Sequence, residues 1–524
     1  MAFRMSQRSA RIYGTQLKRF KATAVEVSPE ELQYRPVEWN DAKPFDQIPG
    51  AKPWPVIGTM WQFFPFVGLK IKEQTNQLKL AQQRVDVYGR ISKDVMPGWP
   101  LLVWTTQPED AETLFRSEGR FPTRTPLQTM LKHRQSRSEF LQSGGLLNDN
   151  GEKWWRVRSK AQQPLLKTKN IKNYLPTIGH IADEFIDRIR LIRLGNNEMK
   201  PDFTNELHRW ALESVAVVAL NTRLGCLNPN LDADSEAQKM ITAVNVSFKN
   251  MAELELSIPF WRFINTPKLK ELFSAQDYFI ETSFKYIQKT MEKIKNRPED
   301  SEQDPTILEE LLSRGLSTED AVVMVMDMLM AGIDTTSHST SFLMYLLARN
   351  PDKQDKLREE VLRVVGPRGT PVTAPAVNEL YYLKACVKET LRLMPVIFGN
   401  QRVTDKDMVL SGYQIPKGTM VITCHEWMCR QEEYFPKAND FIPERWIKGH
   451  PLESNAHPYA MLPFGFGTRM CIGRRLAELE IWQLTCKLIQ NFSIEYHHED
   501  IECYWRLLNV PSKPLRVSLI DLDK

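Results

Sequence analysis

The sequence predicts one large, mainly α-helical domain carrying a few short strands. Three observations predict it. Apolar residues recur at helical spacing through long stretches, at 178–194, 207–220, 276–295 and 351–365. Strand-like runs, such as 101–105 and 419–423, are few and short. No linker long enough to part domains interrupts the body, although length alone would suggest about three or four.

From the N-terminus, residues 1–24 hold six basic residues and no acidic one. Arg4, Arg8, Arg11 and Lys18 share one side of a helix. An Arg-rich, Ser-bearing, acid-free leader has the composition of a mitochondrial transit peptide, with cleavage at any point up to about residue 40. The remaining chain has 63 basic against 64 acidic residues, so the net charge of +5 belongs to the leader. That excludes a nucleic-acid-binding surface spread over the body. Three prolines and a glycine within 48–55 make a stiff, extended entry to the folded domain, placed at 45–524. Residues 295–305 are polar and read as a surface loop.

Ser317-Thr318-Glu319-Asp320 is a capping box of the Ser-x-x-Asp kind. The helix it opens can run to Asn350, where Pro351 stops it, a length of about 50 Å. Its middle is apolar on nearly every face, which predicts burial. The most apolar run, 321–333, is too short to span a membrane and carries Asp327. A peripheral membrane contact is compatible with this.

Seven cysteines scattered through 524 residues form no disulfide framework and suit a reducing compartment. One stands apart. Cys471 lies in Phe464-Gly465-Phe466-Gly467-Thr468-Arg469-Met470-Cys471-Ile472-Gly473, with helix formers following from Arg474. Gly467 permits a tight turn before it, and Gly473 lets something flat approach closely. A helix N-terminus at Cys471 would favour a thiolate. Zinc would want further ligands, and Cys424 and Cys429 have no second pair to complete a site. A single thiolate in a glycine-flanked loop suits an axial ligand of heme iron.

This segment resembles the heme-binding loop of the cytochrome P-450 family, Phe-x-x-Gly-x-Arg-x-Cys-x-Gly, at Phe464, Gly467, Arg469, Cys471 and Gly473. Other family signatures stand upstream in order. Trp154 and Arg158 resemble the Trp-x-x-x-Arg pair that faces a heme propionate. Ala331-Gly332-Ile333-Asp334-Thr335 resembles the oxygen-activating segment. Glu389 and Arg392 resemble the Glu-x-x-Arg pair, and Arg445 its third member. Arg402 matches the arginine near the other propionate. The resemblance runs from about Pro49 to the C-terminus. It implies that family's fold, a mainly α domain with small β-sheets around a buried heme b ligated by Cys471. It also implies a monooxygenase that inserts one atom of O2 into a lipophilic small molecule. Order carries the resemblance, because Glu360-x-x-Arg363 also fits Glu-x-x-Arg on an ordinary helix.

The small pair Ala331-Gly332 goes against helix propensity and suggests room for oxygen, with a locally widened turn. Asp334 and Thr335 would then deliver protons during O–O cleavage. Glu389, Arg392 and Arg445 would form a buried ionic triad that fixes the Cys471 loop. Lys384 and Lys388 are a like-charge i,i+4 pair, unfavourable without an acidic partner, and Arg474-Arg475 add positive charge beside the ligand loop. Similar patterns in mitochondrial-type members dock an acidic 2Fe–2S, adrenodoxin-like ferredoxin. With the leader, this implies a peripheral enzyme on the matrix side of the inner mitochondrial membrane.

Met328, Ala331, Thr335, Val396, Ile397, Phe398, Leu507 and Leu508 would line an apolar pocket, with Asn400 or Thr335 able to orient a substrate hydroxyl. Regions 121–147 and 201–267 resemble invertebrate mitochondrial members, some acting on ecdysteroid precursors and some on foreign compounds. Two other classes are a heme-thiolate isomerase or dehydratase that takes no external electrons, and a non-enzymatic heme sensor. The Asp334-Thr335 pair argues against both.

Overall fold

The computed structural model describes residues 37–522, apart from 64–74, 138–140, 142, 230, 233 and 299–304. The leader at 1–24 and most of the loop expected at 295–305 lie outside the described residues. Seven of the helices position the site: α1 (Gly151–Leu166), α2 (Phe203–Leu220), α3 (Glu236–Glu255), α4 (Pro267–Lys295), α5 (Thr318–Arg349), α6 (Tyr381–Leu393) and α7 (Arg474–Asn491). The stretch expected at 276–295 is the C-terminal part of α4. That helix starts earlier because Thr266 accepts the Leu269 N–H and Pro267 occupies the first helical position.

The central helix α5 begins where the sequence places it. Ser317 accepts the Asp320 N–H at 3.2 Å. The reciprocal half of the capping box is replaced: the Asp320 carboxylate accepts Arg156 of α1 at 2.8 Å instead. From Asp320 to Leu347, every residue of α5 is buried except Ala331, Gly332 and Thr335. Those three lie on one strip of the helix, at i, i+1 and i+4.

The main sheet contains β1 (Ile91–Asp94), β2 (Leu102–Thr105), β3 (Asn400–Val403) and β4 (Met420–Thr423), in the order β1-β2-β4-β3. β2 and β4 pair in parallel with Val103 opposite Val421, and the outer pairings are antiparallel. Val103 and Val421 are buried in a small core with Ile48, Ile91, Leu410 and Ile415, separate from the large helical core. Three two-stranded ribbons complete the β-structure among the described residues, one of them Cys503–Arg506 with Leu508–Pro511.

The two Glu-x-x-Arg matches separate cleanly. Glu389 and Arg392 are fully buried on α6 and joined through two hydrogen bonds, at 2.8 and 2.9 Å. Arg445 reaches the same carboxylate at 3.3 Å, and the Ile442 N–H and Trp446 indole N–H each donate to it at 2.9 Å. Arg392 also donates to the carbonyls of Cys429, Ala438 and Asp440. The irregular segment 429–446 is thus tied to α6 by buried charge-assisted bonds. Glu360 instead accepts the N–H groups of Tyr382 and Leu383 in the first turn of α6, while Arg363 is exposed. Arg392→Ala strands the buried Glu389 carboxylate and should cost about 3–5 kcal/mol. It should be seen as a lower unfolding midpoint and poor recovery of folded protein. Arg363→Ala should stay within about 0.5 kcal/mol of the parent.

Candidate active site

The ligand loop is shaped by two left-handed glycines, Gly465 at φ 70° and Gly467 at φ 74°. A 3-10 turn follows at Gly467–Arg469, and the Cys471 N–H returns to the Phe464 carbonyl at 2.8 Å. α7 starts three residues beyond the cysteine, with Gly473 at its N-cap. Cys471 is the one exposed cysteine of the seven. The helix N-terminus does not lower its pKa as the sequence suggests: burial of the thiol among the loop atoms dominates and raises it. The Gly473 N–H and the charges of Arg158, Arg124 and Arg474 pull the other way. An accessible yet desolvated thiol belongs on the wall of an internal cleft, and a metal bond is what deprotonates such a group outright. A Cβ added to Gly473 would meet nothing within 4 Å, so this wall is open where a flat group would lie.

Beside the thiol stand four arginines. Arg158 of α1, Arg402 of β3 and Arg469 of the loop are buried. Arg124 joins them, and their charges act on one another. Burial first, then this mutual repulsion, lowers Arg469 to about 8. Burial lowers Arg158 to about 10, and burial with the charges of Arg402 and Arg158 lowers Arg124 to about 10. Glu118, paired with Arg402, is the carboxylate among them. Arg469 donates to the Pro122 and Asp149 carbonyls and lies 4.8 Å over the Trp154 ring. The Nε atoms of Arg158 and Arg469 are buried without a partner. Such an excess of buried cations fits a dianion, and the two propionates of a heme supply that charge. The structure therefore brings together Trp154, Arg158, Arg402 and Arg469 as the sequence proposed. It adds Arg124, which sits in an acid-free basic stretch that no motif marks.

On α5 the structure departs from expectation. The helix is regular α throughout, with no widened turn. A Cβ on Gly332 would stand 3.2 Å from Val215 of α2, so this glycine serves the close approach of two helices. Thr335 Oγ1 donates to the Ala331 carbonyl at 2.7 Å on the accessible strip. Asp334 is buried and lines a different cavity, of about 310 Å³, with His208 of α2, His338 of α5, Asn245 and Lys249 of α3, and Arg506. Asp334 Oδ1 lies 3.6 Å from His208 Nε2, too far for a hydrogen bond. Burial raises Asp334 to about 7, lowers His208 to about 4 and, with the charges of His208 and Arg506, lowers His338 well below its usual value. The sequence reading missed both histidines. Asp334 and His338 at i,i+4 were visible; His208, on another helix, was not.

Of the proposed pocket residues, Met328, Val396 and Leu508 are buried, while Ile397, Phe398 and Leu507 pack partly buried against the cores. Asn400 is not free for substrate. Its amide donates to the Leu462 carbonyl at 2.9 Å, bracing the approach to the ligand loop.

On the face behind the loop, Lys388 is exposed, with its ammonium 3.9 Å over the Trp446 ring. Partial burial and the nearby Arg474 lower its pKa. Lys384 donates to the Asn378 carbonyl and also feels Lys172. Arg474 and Arg475 both pair with Glu478, at 2.9 and 3.1 Å, so the basic patch is smaller than the bare sequence suggests.

Comparison with known proteins places this arrangement. Residues 48–519 match the family model for cytochrome P-450. A Drosophila melanogaster protein named probable cytochrome P-450 301a1, mitochondrial, is 35% identical over 92% of this chain and 88% of its own length. Cytochrome P-450 CYP12A2 of Musca domestica is 35% identical over 93% of each chain. A second Drosophila melanogaster protein, probable cytochrome P-450 12b2, mitochondrial, is 37% identical over 88% of this chain and 86% of its own. With its family model covering nearly the whole described body, the chain belongs to the cytochrome P-450 family of heme-thiolate monooxygenases.

Proposed function

We propose that this monooxygenase is mitochondrial, holds its heme iron through Cys471, takes electrons from an acidic 2Fe–2S ferredoxin, and oxidises a lipophilic small molecule of steroid-like or foreign origin. The observation that carries the reading is the exposed, desolvated Cys471 beside four arginines that share the single carboxylate of Glu118. When bound, heme held by Cys471 would supply the reductive activation of O2. The chain's own residues do the rest. Arg124, Arg158, Arg402 and Arg469 neutralise and orient the propionates. Thr335 holds a hydroxyl on the accessible strip of α5. Asp334, poised near neutral pH in a neighbouring cavity, is suited to pass protons inward.

Support for the ferredoxin comes from Lys384 and Lys388 one turn apart on α6, next to Arg474 on a body of nearly zero net charge. Such a patch steers an acidic partner and weakens with salt. The basic leader and the mitochondrial names of relatives support the location. A membrane contact is supported by an exposed apolar face. Leu256, Phe260, Phe263 and Ile264 are exposed there. Arg262 ties that loop to the Gly98 carbonyl, near the exposed Trp54 and Val56.

Cys471→Ala should abolish the thiolate-type spectrum of the reduced, CO-treated protein and all turnover. Each of Cys226, Cys386, Cys424, Cys429, Cys486 and Cys503 should be replaceable without losing it. Thr335→Ala should retain that spectrum while releasing more hydrogen peroxide per electron pair; coupling equal to the parent would move proton delivery elsewhere. Lys388→Glu should slow ferredoxin-driven turnover about tenfold or more and spare peroxide-driven turnover. Efficient turnover with a flavoprotein reductase and none with ferredoxin would overturn both partner and location.

A further inference from the structure

We propose that His208, Asp334 and His338 form a binding site for a divalent transition-metal ion, best suited to zinc. Asp334 and His338 stand four residues apart on one face of α5, and His208 faces them from α2. One ligand atom from each lies within 4.8 Å of the others, and all three residues are buried. The 3.6 Å between His208 Nε2 and Asp334 Oδ1 is close to the ligand–ligand edge of a zinc tetrahedron, about 3.4 Å for bonds near 2.1 Å. The two imidazoles lie edge to face, with ring centroids 5.2 Å apart and planes at 85°.

The second observation is the state of the polar atoms. Both ring nitrogens of His208, Nδ1 of His338 and Oδ1 of Asp334 are buried without a hydrogen-bond partner. Buried polar atoms are satisfied in the great majority of cases, so orphans on all three residues, with one ligand atom of each within 4.8 Å of the others, call for a ligand. Two imidazoles and one carboxylate select a borderline-soft cation over magnesium or calcium. Three protein ligands leave a fourth position toward the cavity. Lys249, Arg506 and Lys513 also line that cavity, so the fourth ligand should be an anion or a hydroxide, and affinity should be moderate. Occupied, the site would fix Asp334 as an ionised ligand and take it out of proton transfer. That consequence rests on the role proposed for Asp334; the binding site does not.

The test is equilibrium dialysis of the heme-loaded full chain against micromolar zinc chloride, with magnesium chloride as comparison and the zinc-to-iron ratio read by elemental analysis. The parent should retain about one zinc per iron beyond the His208→Gln/His338→Gln double variant, and no magnesium. Each single variant should weaken retention about tenfold or more, since losing even a group that only orients a metal ligand costs that much. Zinc-edge X-ray absorption of the loaded parent should show two imidazoles and oxygen. Equal retention by parent and double variant, or a spectrum without imidazole scattering, overturns the site. Where the double variant fails to take up heme, the parent's absorption spectrum alone decides. Zinc bound with ferredoxin-driven turnover unslowed would overturn the inhibitory consequence.

Discussion

Four guanidinium groups meet inside this protein with one carboxylate among them, and the irregular parts of the fold are arranged around that imbalance. Buried cations without counter-charge are costly. Here they are held partly by backbone oxygen. Arg469 draws in the carbonyls of Pro122 and Asp149, and Arg402 that of Phe466. Loops from distant parts of the chain therefore converge on the same point as α1 and β3. A dianionic cofactor that offsets most of this excess charge also stabilises the folded chain by linkage. The same device recurs at Arg392, where three carbonyls of a coil segment are gathered by one side chain.

The central helix divides the chemistry between two sides. Ala331, Gly332 and Thr335 form the strip that escapes burial, while Asp334, one residue away, turns into a separate cavity shared with α2 and α3. Asp334 and Thr335, adjacent on the helix, point about 100° apart, and the packing of α2 and α3 beside Asp334 completes the division. The proton delivery proposed for Asp334 would thus draw on a cavity distinct from the strip that exposes the Thr335 hydroxyl. The close contact of Gly332 with Val215 keeps α2 near enough for His208 to reach the same cavity.

Much of this was legible in the sequence where a cause is local. Ser317 and Pro351 bound the long helix to within a residue, because caps and stops act on their immediate neighbours. Arg158, Arg402, Arg469 and the Glu389 cluster were named from spacing and family pattern, and they converge as named. What failed was three-dimensional. Arg124 carries no local signature, and His208 acquires meaning only when α2 lies against α5. Gly332 reads as space for a ligand until the neighbouring Val215 is seen. Glu360 has the same local pattern as Glu389, and only tertiary placement turns it into a cap for α6 rather than the hub of an ionic cluster. The dipole argument at Cys471 was sound in sign but smaller than the cost of desolvating the thiol.

Trp446 joins two of these themes. Its indole N–H is spent on the buried Glu389 carboxylate, which fixes the ring, and its face then carries the Lys388 ammonium. A surface lysine normally loses about 2 kcal/mol of rotamer entropy when a partner immobilises it. Resting on a ring that cannot move, Lys388 has given up part of that freedom before any encounter. For the electron donor proposed above, such a contact would be quick to form because it is already ordered, and quick to break because little new order is made.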